Sequence, residues 1–189
     1  MKRFERAAVV CDLINRLREA GSWAGETHVQ KATYLLQDLL AVPLNYGFIL
    51  YKHGPFSFEL SDDLAAFLNV GLIEEQVQAP PYGPRFAATP RAATIKAEYR
   101  NTLNGYSSTI EMAARTIGTK SVGEVERLAT ALYVTKRAQD RHDGSVRTRA
   151  AHLNRLKPHV PLEAAAQAVE QIDLLVKQIA TAETVAVKH

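Results

Sequence analysis

Residues 46–64 read YGFILYKHGPFSFELSDDL, and this stretch constrains the fold more than any other. Tyr46, Phe48 and Leu50 alternate with Gly47, Ile49 and Tyr51, mostly aromatic or β-branched, which predicts a strand. The strand must end at His53-Gly54-Pro55, because glycine permits unusual backbone angles and proline fixes φ and carries no N–H. A helix is expected next, with Ser57 as N-cap and the carboxylates Glu59, Asp62 and Asp63 near its positive end. A strand, a tight corner and a capped helix in immediate succession describe an ordered element, not a solvated loop.

Helical periodicity dominates the remainder. Residues 4–20 place Phe4, Ala8, Cys11, Ile14 and Leu17, with Val10 and Leu13, on one apolar face. Thr27 is expected to cap a helix over 29–40, with Val29, Ala32, Thr33, Leu36 and Leu39 or Leu40 inward. After the corner, the helix should bury Phe58, Leu60, Leu64, Phe67 and Leu68 and stop at Gly71. Strands are expected over 72–77 and 85–89, joined by the turn-rich Ala79-Pro80-Pro81-Tyr82-Gly83-Pro84. Pro90 opens a helix running towards Leu103, and another covers 106–117. Ser121-Val122-Gly123-Glu124 matches a capping box ahead of Val125, Leu128, Ala129, Leu132 and Tyr133. Residues 141–145 read as a loop, a helix covers 147–156, and Pro161 starts a last long helix whose tail, from Thr184, is expected to fray.

The expected fold class is therefore mainly α with a small β-sheet. Residues 1–104 have the element order of a winged-helix-like domain, and 105–189 form a helical part packed on it.

Composition narrows the function classes. One cysteine, Cys11, excludes an internal disulfide framework and a multi-cysteine zinc site, and its neighbours Val9, Val10, Leu13 and Ile14 predict an inert buried thiol. No apolar run approaches the roughly 20 residues that a membrane span requires, and Glu5 and Asp12 interrupt any signal-peptide core, so a cytoplasmic location is expected. Net charge is +3, but it is unevenly placed. Residues 1–118 carry 12 basic and 12 acidic side chains, whereas 120–157 carry nine basic against four acidic. A polyanion footprint belongs in that second segment.

Several phrases carry a family resemblance: THVQKATYLLQ (27–37), the 46–57 segment, LSDDLAAFLNVGLIEE (60–75), FAATP (86–90), SVGEVERLATALY (121–133) and LNRLKPHVPLEAAAQAV (153–169). Together they resemble the YwgA-type family, which is similar to the wider SocA-like, or Panacea, antitoxin domains. The resemblance implies a winged-helix-like fold in a small bacterial or phage-linked protein. For the Panacea relatives it implies an antitoxin or adaptor that binds partner proteins, and it carries no catalytic residues.

The residues themselves suggest three surfaces. A groove-reading helix needs Arg, Lys, Asn or Gln facing the DNA, but residues 57–70 contain Glu59, Asp62 and Asp63 and no basic residue. That helix is a poor DNA reader and a candidate protein-binding face; carboxylates that merely stabilise the helix dipole are the simpler alternative. Nucleic acid, the runner-up partner, would use Lys136, Arg137, Arg141, Arg147 and Arg149. Lys52, His53 and Gly54 beside a helix N-terminus could hold an anion or nucleotide, although a structural corner, with His53 bonded to the local backbone, is the simpler explanation. The six histidines are scattered, and there is no HExxH, CxxC, GxGxxG, GxxxxGK[ST] or GxSxG, so no metal, no cofactor and no enzyme is expected. The stripe on the last helix packs on its own domain or forms a homodimer.

Overall fold

The computed structural model describes residues 1–79, 83–139 and 144–186. Its elements run α1 (Arg3–Glu19), α2 (Glu26–Asp38), β1 (Ile49–Tyr51), β2 (Gly54–Phe56), α3 (Phe58–Asn69), β3 (Ile73–Gln76), β4 (Arg85–Ala88), α4 (Pro90–Glu98), α5 (Arg100–Ile117), α6 (Val122–Gln139), α7 (Val146–Leu156) and α8 (Leu162–Ala186). The protein is mainly α, and two antiparallel two-stranded sheets stand among the described residues where one small sheet was expected. No helix among the described residues is long and apolar enough to cross a membrane.

The chain divides into two units, Met1–Val125 and Glu126–His189, so the division falls within α6 and not near residue 104. The cause is α5. Its Leu103, Ile110, Ala113, Ala114 and Ile117 are buried, and the helix packs on α1 and α2 of the first unit. The single break expected between 103 and 106 lies instead at Tyr99 (φ −103°, ψ 32°), which separates α4 from α5.

In the first unit α1 and α2 form the centre, and both are buried over most of their circumference. A helix apolar or satisfied all round belongs in a core. Phe4, expected inside, is 63% exposed because α1 begins there, one turn before the packed region. The α2 cap also differs: Gly25, not Thr27, holds the N-cap position, and the helix starts at Glu26. A Cβ on Gly25 would sit 3.0 Å from Trp23 Cδ1 and 3.3 Å from the Pro84 carbonyl, so a larger residue would have to push these neighbours aside by a few tenths of an ångström.

The end of α3 follows the sequence. Gly71 adopts φ +69°, with Gly71 N–H donating to the Leu68 carbonyl (3.0 Å) and Leu72 N–H to that of Phe67 (2.9 Å). The β3–β4 pair follows in the register Ile73↔Ala88 to Gln76↔Arg85. Residues 80–82 of its connection lie outside the described residues. The capping box forms as spelled: Ser121 N–H donates to Glu124 Oε2 (2.8 Å) and Glu124 N–H to Ser121 Oγ (3.4 Å).

In the second unit α7 packs on α8. Arg149 makes a bidentate pair with Asp173 (2.7 Å each), and Asn154 Nδ2 closes the intervening turn on the Val160 carbonyl at 2.7 Å. On α8 Ala165, Val169 and Ile172 are buried, while Leu162 and Val176 from the same expected stripe are exposed. The tail expected to fray from Thr184 is helical through Ala186; residues 187–189 lie outside the described residues.

Candidate functional site

The strand and corner of the 46–64 segment become a hairpin. β1 pairs with β2 in the register Ile49↔Phe56, Leu50↔Pro55, Tyr51↔Gly54, with Lys52-His53 as the two-residue turn and Gly54 at φ +91°. The proline thus lies inside a strand. Residues opposite each other alternate between exchanging hydrogen bonds and facing outward, and a two-residue turn is closed by a bonded pair, which leaves Leu50↔Pro55 unbonded. The missing N–H of Pro55 therefore costs the ladder nothing, and its carbonyl faces away from β1.

Side chains of α2 take up that outer edge. Lys31, only 1% exposed, donates its ammonium to the Pro55 carbonyl at 2.9 Å and lies 6.0 Å from the Phe56 ring centre. Gln30, fully buried, donates Nε2–H to the Ser57 carbonyl (2.9 Å) and accepts the Ser57 N–H on Oε1 (3.0 Å). Two turns further along, Gln37 does the same to Tyr46, at 2.9 Å and 2.7 Å. An amide mimics one strand residue, so two glutamines at seven-residue spacing hang both ends of the segment on one face of α2. This clasp was missed in the sequence, where Gln30 and Gln37 read as polar letters inside a helix.

The three carboxylates of α3 separate. Ser57 caps the helix, accepting the Leu60 N–H at 3.3 Å. Glu59 is exposed, and its Oε2 accepts the Gly47 N–H at 3.0 Å; Asp62 is exposed as well. Asp63 is buried and turned inward. It accepts the Tyr46 hydroxyl proton (3.0 Å), pairs with Arg6 (3.3 Å) and lies 3.7 Å from Arg3, while the Arg6 guanidinium sits 4.6 Å over the Tyr46 ring. Burial and the neighbouring Asp63 push the Tyr46 phenol well above its usual value. Asp63 therefore does not share the exposed face of Asp62. The signal was available: Leu60, Asp63, Leu64 and Phe67 follow the i, i+3, i+4, i+7 spacing of the buried face.

What the segment does present is aromatic. Directly paired residues share a sheet face, so Ile49, Tyr51 and Phe56 stand together. Phe58, expected in the core, joins them from the first turn of α3. Tyr51–Phe56, Tyr51–Phe58 and Phe56–Phe58 ring centres lie 5.9, 5.6 and 5.1 Å apart. Ile49, Tyr51 and Phe58 are 52%, 53% and 54% exposed. Clustered exposed apolar side chains, unlike scattered ones, mark an interaction surface.

Lys52 and His53 are exposed at the hairpin tip. Strand β2 puts roughly 10 Å of extended chain between that tip and the start of α3. The Leu60 amide there is already taken by Ser57.

The basic side chains are also sorted by the fold. Lys136, Arg137 and Arg147 are exposed. Arg149 is buried, held by Asp173 and donating to Thr135 Oγ1 at 3.1 Å, so its charge is committed internally. Arg141 and His142 lie outside the described residues.

A part-buried polar knot around the buried Asp12 ties α1, α4 and α5 together. Asp12 pairs with Arg16 (2.8 Å) and Lys96 (2.6 Å), and Arg16 reaches Glu111 (3.2 Å) and Ser107 (2.9 Å), beside a concavity of about 420 Å3. Cys11 next to it is fully buried, and burial pushes its thiol up to about 12, which disfavours the thiolate needed for nucleophilic chemistry. His28 is buried; its Nε2 bonds the Lys120 carbonyl at 3.0 Å, and its Nδ1 has no partner among the described residues. Burial lowers its pKa, partly opposed by that carbonyl. Among the described residues no three His, Cys, Asp or Glu side chains come together as metal ligands. No family model matches the chain, and no curated protein matches it either.

Proposed function

We propose that the chain is a non-enzymatic, winged-helix-like adaptor of the antitoxin type, which binds a partner protein through the outer face of the β1–β2 hairpin and the start of α3. The observation that carries this reading is the exposed Ile49–Tyr51–Phe58 cluster bordered by the exposed carboxylates Glu59 and Asp62. Aromatic anchors with a charged rim are the usual composition of a protein-binding patch. The complementary partner is an apolar segment flanked by Lys or Arg. The three-helix order with a β3–β4 hairpin supports the winged-helix comparison, and the absence of any basic residue in α3 opposes groove reading by that helix.

Crosslinked capture with the full chain tests the reading. Phe58→Ser and, separately, Asp62→Lys should each abolish capture of a specific protein that wild type and Glu98→Lys both retain. Retention by Phe58→Ser and Asp62→Lys would refute it. The second reading, a DNA-binding regulator that uses the basic helices after Lys120, draws on exposed Lys136, Arg137 and Arg147. It requires an affinity for duplex DNA that falls steeply with salt.

A further inference from the structure

In the second unit, the last turn of α6 and one face of α7 enclose a concavity of about 300 Å3, lined by Arg137, Thr148, Arg149, His152 and Arg155. On α7 these positions recur every three or four residues, so helical geometry alone puts them on one face. Three guanidinium groups line the concavity, and no carboxylate among the described residues does. Their states differ. Arg149 is neutralised by Asp173 and forms a fixed wall. Arg137 lies 4.7 Å over the Tyr133 ring, a contact that orients its plane without cancelling its charge. Neither Arg137 nor Arg155 meets a carboxylate among the described residues.

Two guanidinium forks that pair with no carboxylate among the described residues and line one concavity match the several acceptor oxygens of a phosphate group better than a single carboxylate or halide. The volume is at the small end of ligand sites and admits a phosphoryl group with an attached sugar. The geometry points to a phosphate-binding site here, for a free nucleotide or for one backbone phosphate of a nucleic acid. The site is independent of the aromatic patch and does not require the adaptor reading.

Titration calorimetry of the full chain at low salt with pyrophosphate, adenosine monophosphate and a short mixed-sequence duplex tests it. Pyrophosphate should bind, and Arg137→Ala and Arg155→Ala should each weaken it roughly tenfold or more, the loss expected for a charge-assisted hydrogen bond. Arg137→Lys, which keeps the charge and loses the fork, should fall between. Lys177→Ala, on exposed α8 surface outside the concavity, should change affinity by less than about twofold. If the nucleic acid backbone is the natural source, the duplex binds more tightly than the mononucleotide, and each alanine variant lowers its salt slope by about one. If a free nucleotide is the source, the mononucleotide binds and the duplex does not; that result removes the DNA-regulator reading and leaves the site standing. Absence of pyrophosphate binding, or equal weakening by Lys177→Ala, overturns the proposal.

Discussion

Replacing Gln30 by methionine tests the clasp most directly. The side chain is fully buried, and its amide is the recorded partner of both the N–H and the carbonyl of buried Ser57. Methionine has nearly the same length and shape, so little cavity forms; what remains is a donor and an acceptor without partners. Each of the two orphaned buried groups costs about 1–3 kcal/mol, and the extra apolar burial returns about 1, so the expected loss is roughly 1–5 kcal/mol. Gln37 makes the same pair of bonds but is half-buried, so water can replace its amide, and Gln37→Met should cost only about 1–2 kcal/mol. Trp23, the only tryptophan, lies in the first unit, and its fluorescence reports that unit in guanidinium titrations. With a slope of about 4 kcal/mol per molar, Gln30→Met should lower the midpoint by about 0.3–1.3 M. A loss below about 0.5 kcal/mol, or a Gln37→Met effect equal to or larger than that of Gln30→Met, would show that the amides do not hold the hairpin.

Other outcomes follow from the same geometry. Asp63→Asn keeps a partner for the Tyr46 hydroxyl but withdraws the charge facing Arg6; chemical denaturation should show a loss of about 1–3 kcal/mol, whereas Asp62→Asn should be neutral. His28 is depressed below its ordinary 6.5 by burial, so the unfolded chain binds the extra proton first as pH falls. Its contribution is intact above about 6.5 and is lost below it, so stability between pH 7 and 5 should fall more steeply in wild type than in His28→Asn; parallel curves contradict this. Cys11 should resist alkylation in the native protein at pH 8 and react on denaturation, and rapid native labelling would refute its burial. Ser121→Ala removes the cap of α6 and should cost about 0.5–2 kcal/mol in thermal or chemical unfolding.

The local chemistry of the chain determined its elements. Ser57 and Ser121 as caps, Gly71 in the left-handed region and Pro90 opening α4 are decided within a few residues of themselves, and each stands as the sequence spells it. The mainly helical class was legible from periodicity for the same reason. Tertiary structure alone decided which side of each element matters. Pro55 reads as a strand terminator until its partner Leu50 shows that no N–H is needed there. Gln30, Gln37 and Lys31 acquire meaning only when a segment distant in sequence brings backbone groups to them. Asp62 and Asp63 are adjacent letters, yet one helical step separates a solvent-facing carboxylate from a buried one. Phe58 lies outside and Arg149 inside because each follows the packing of neighbouring elements, not its own polarity. Capping and turn chemistry are encoded within a few consecutive residues; burial and charge pairing depend on contacts between distant ones, so only the folded chain reveals the surface it presents.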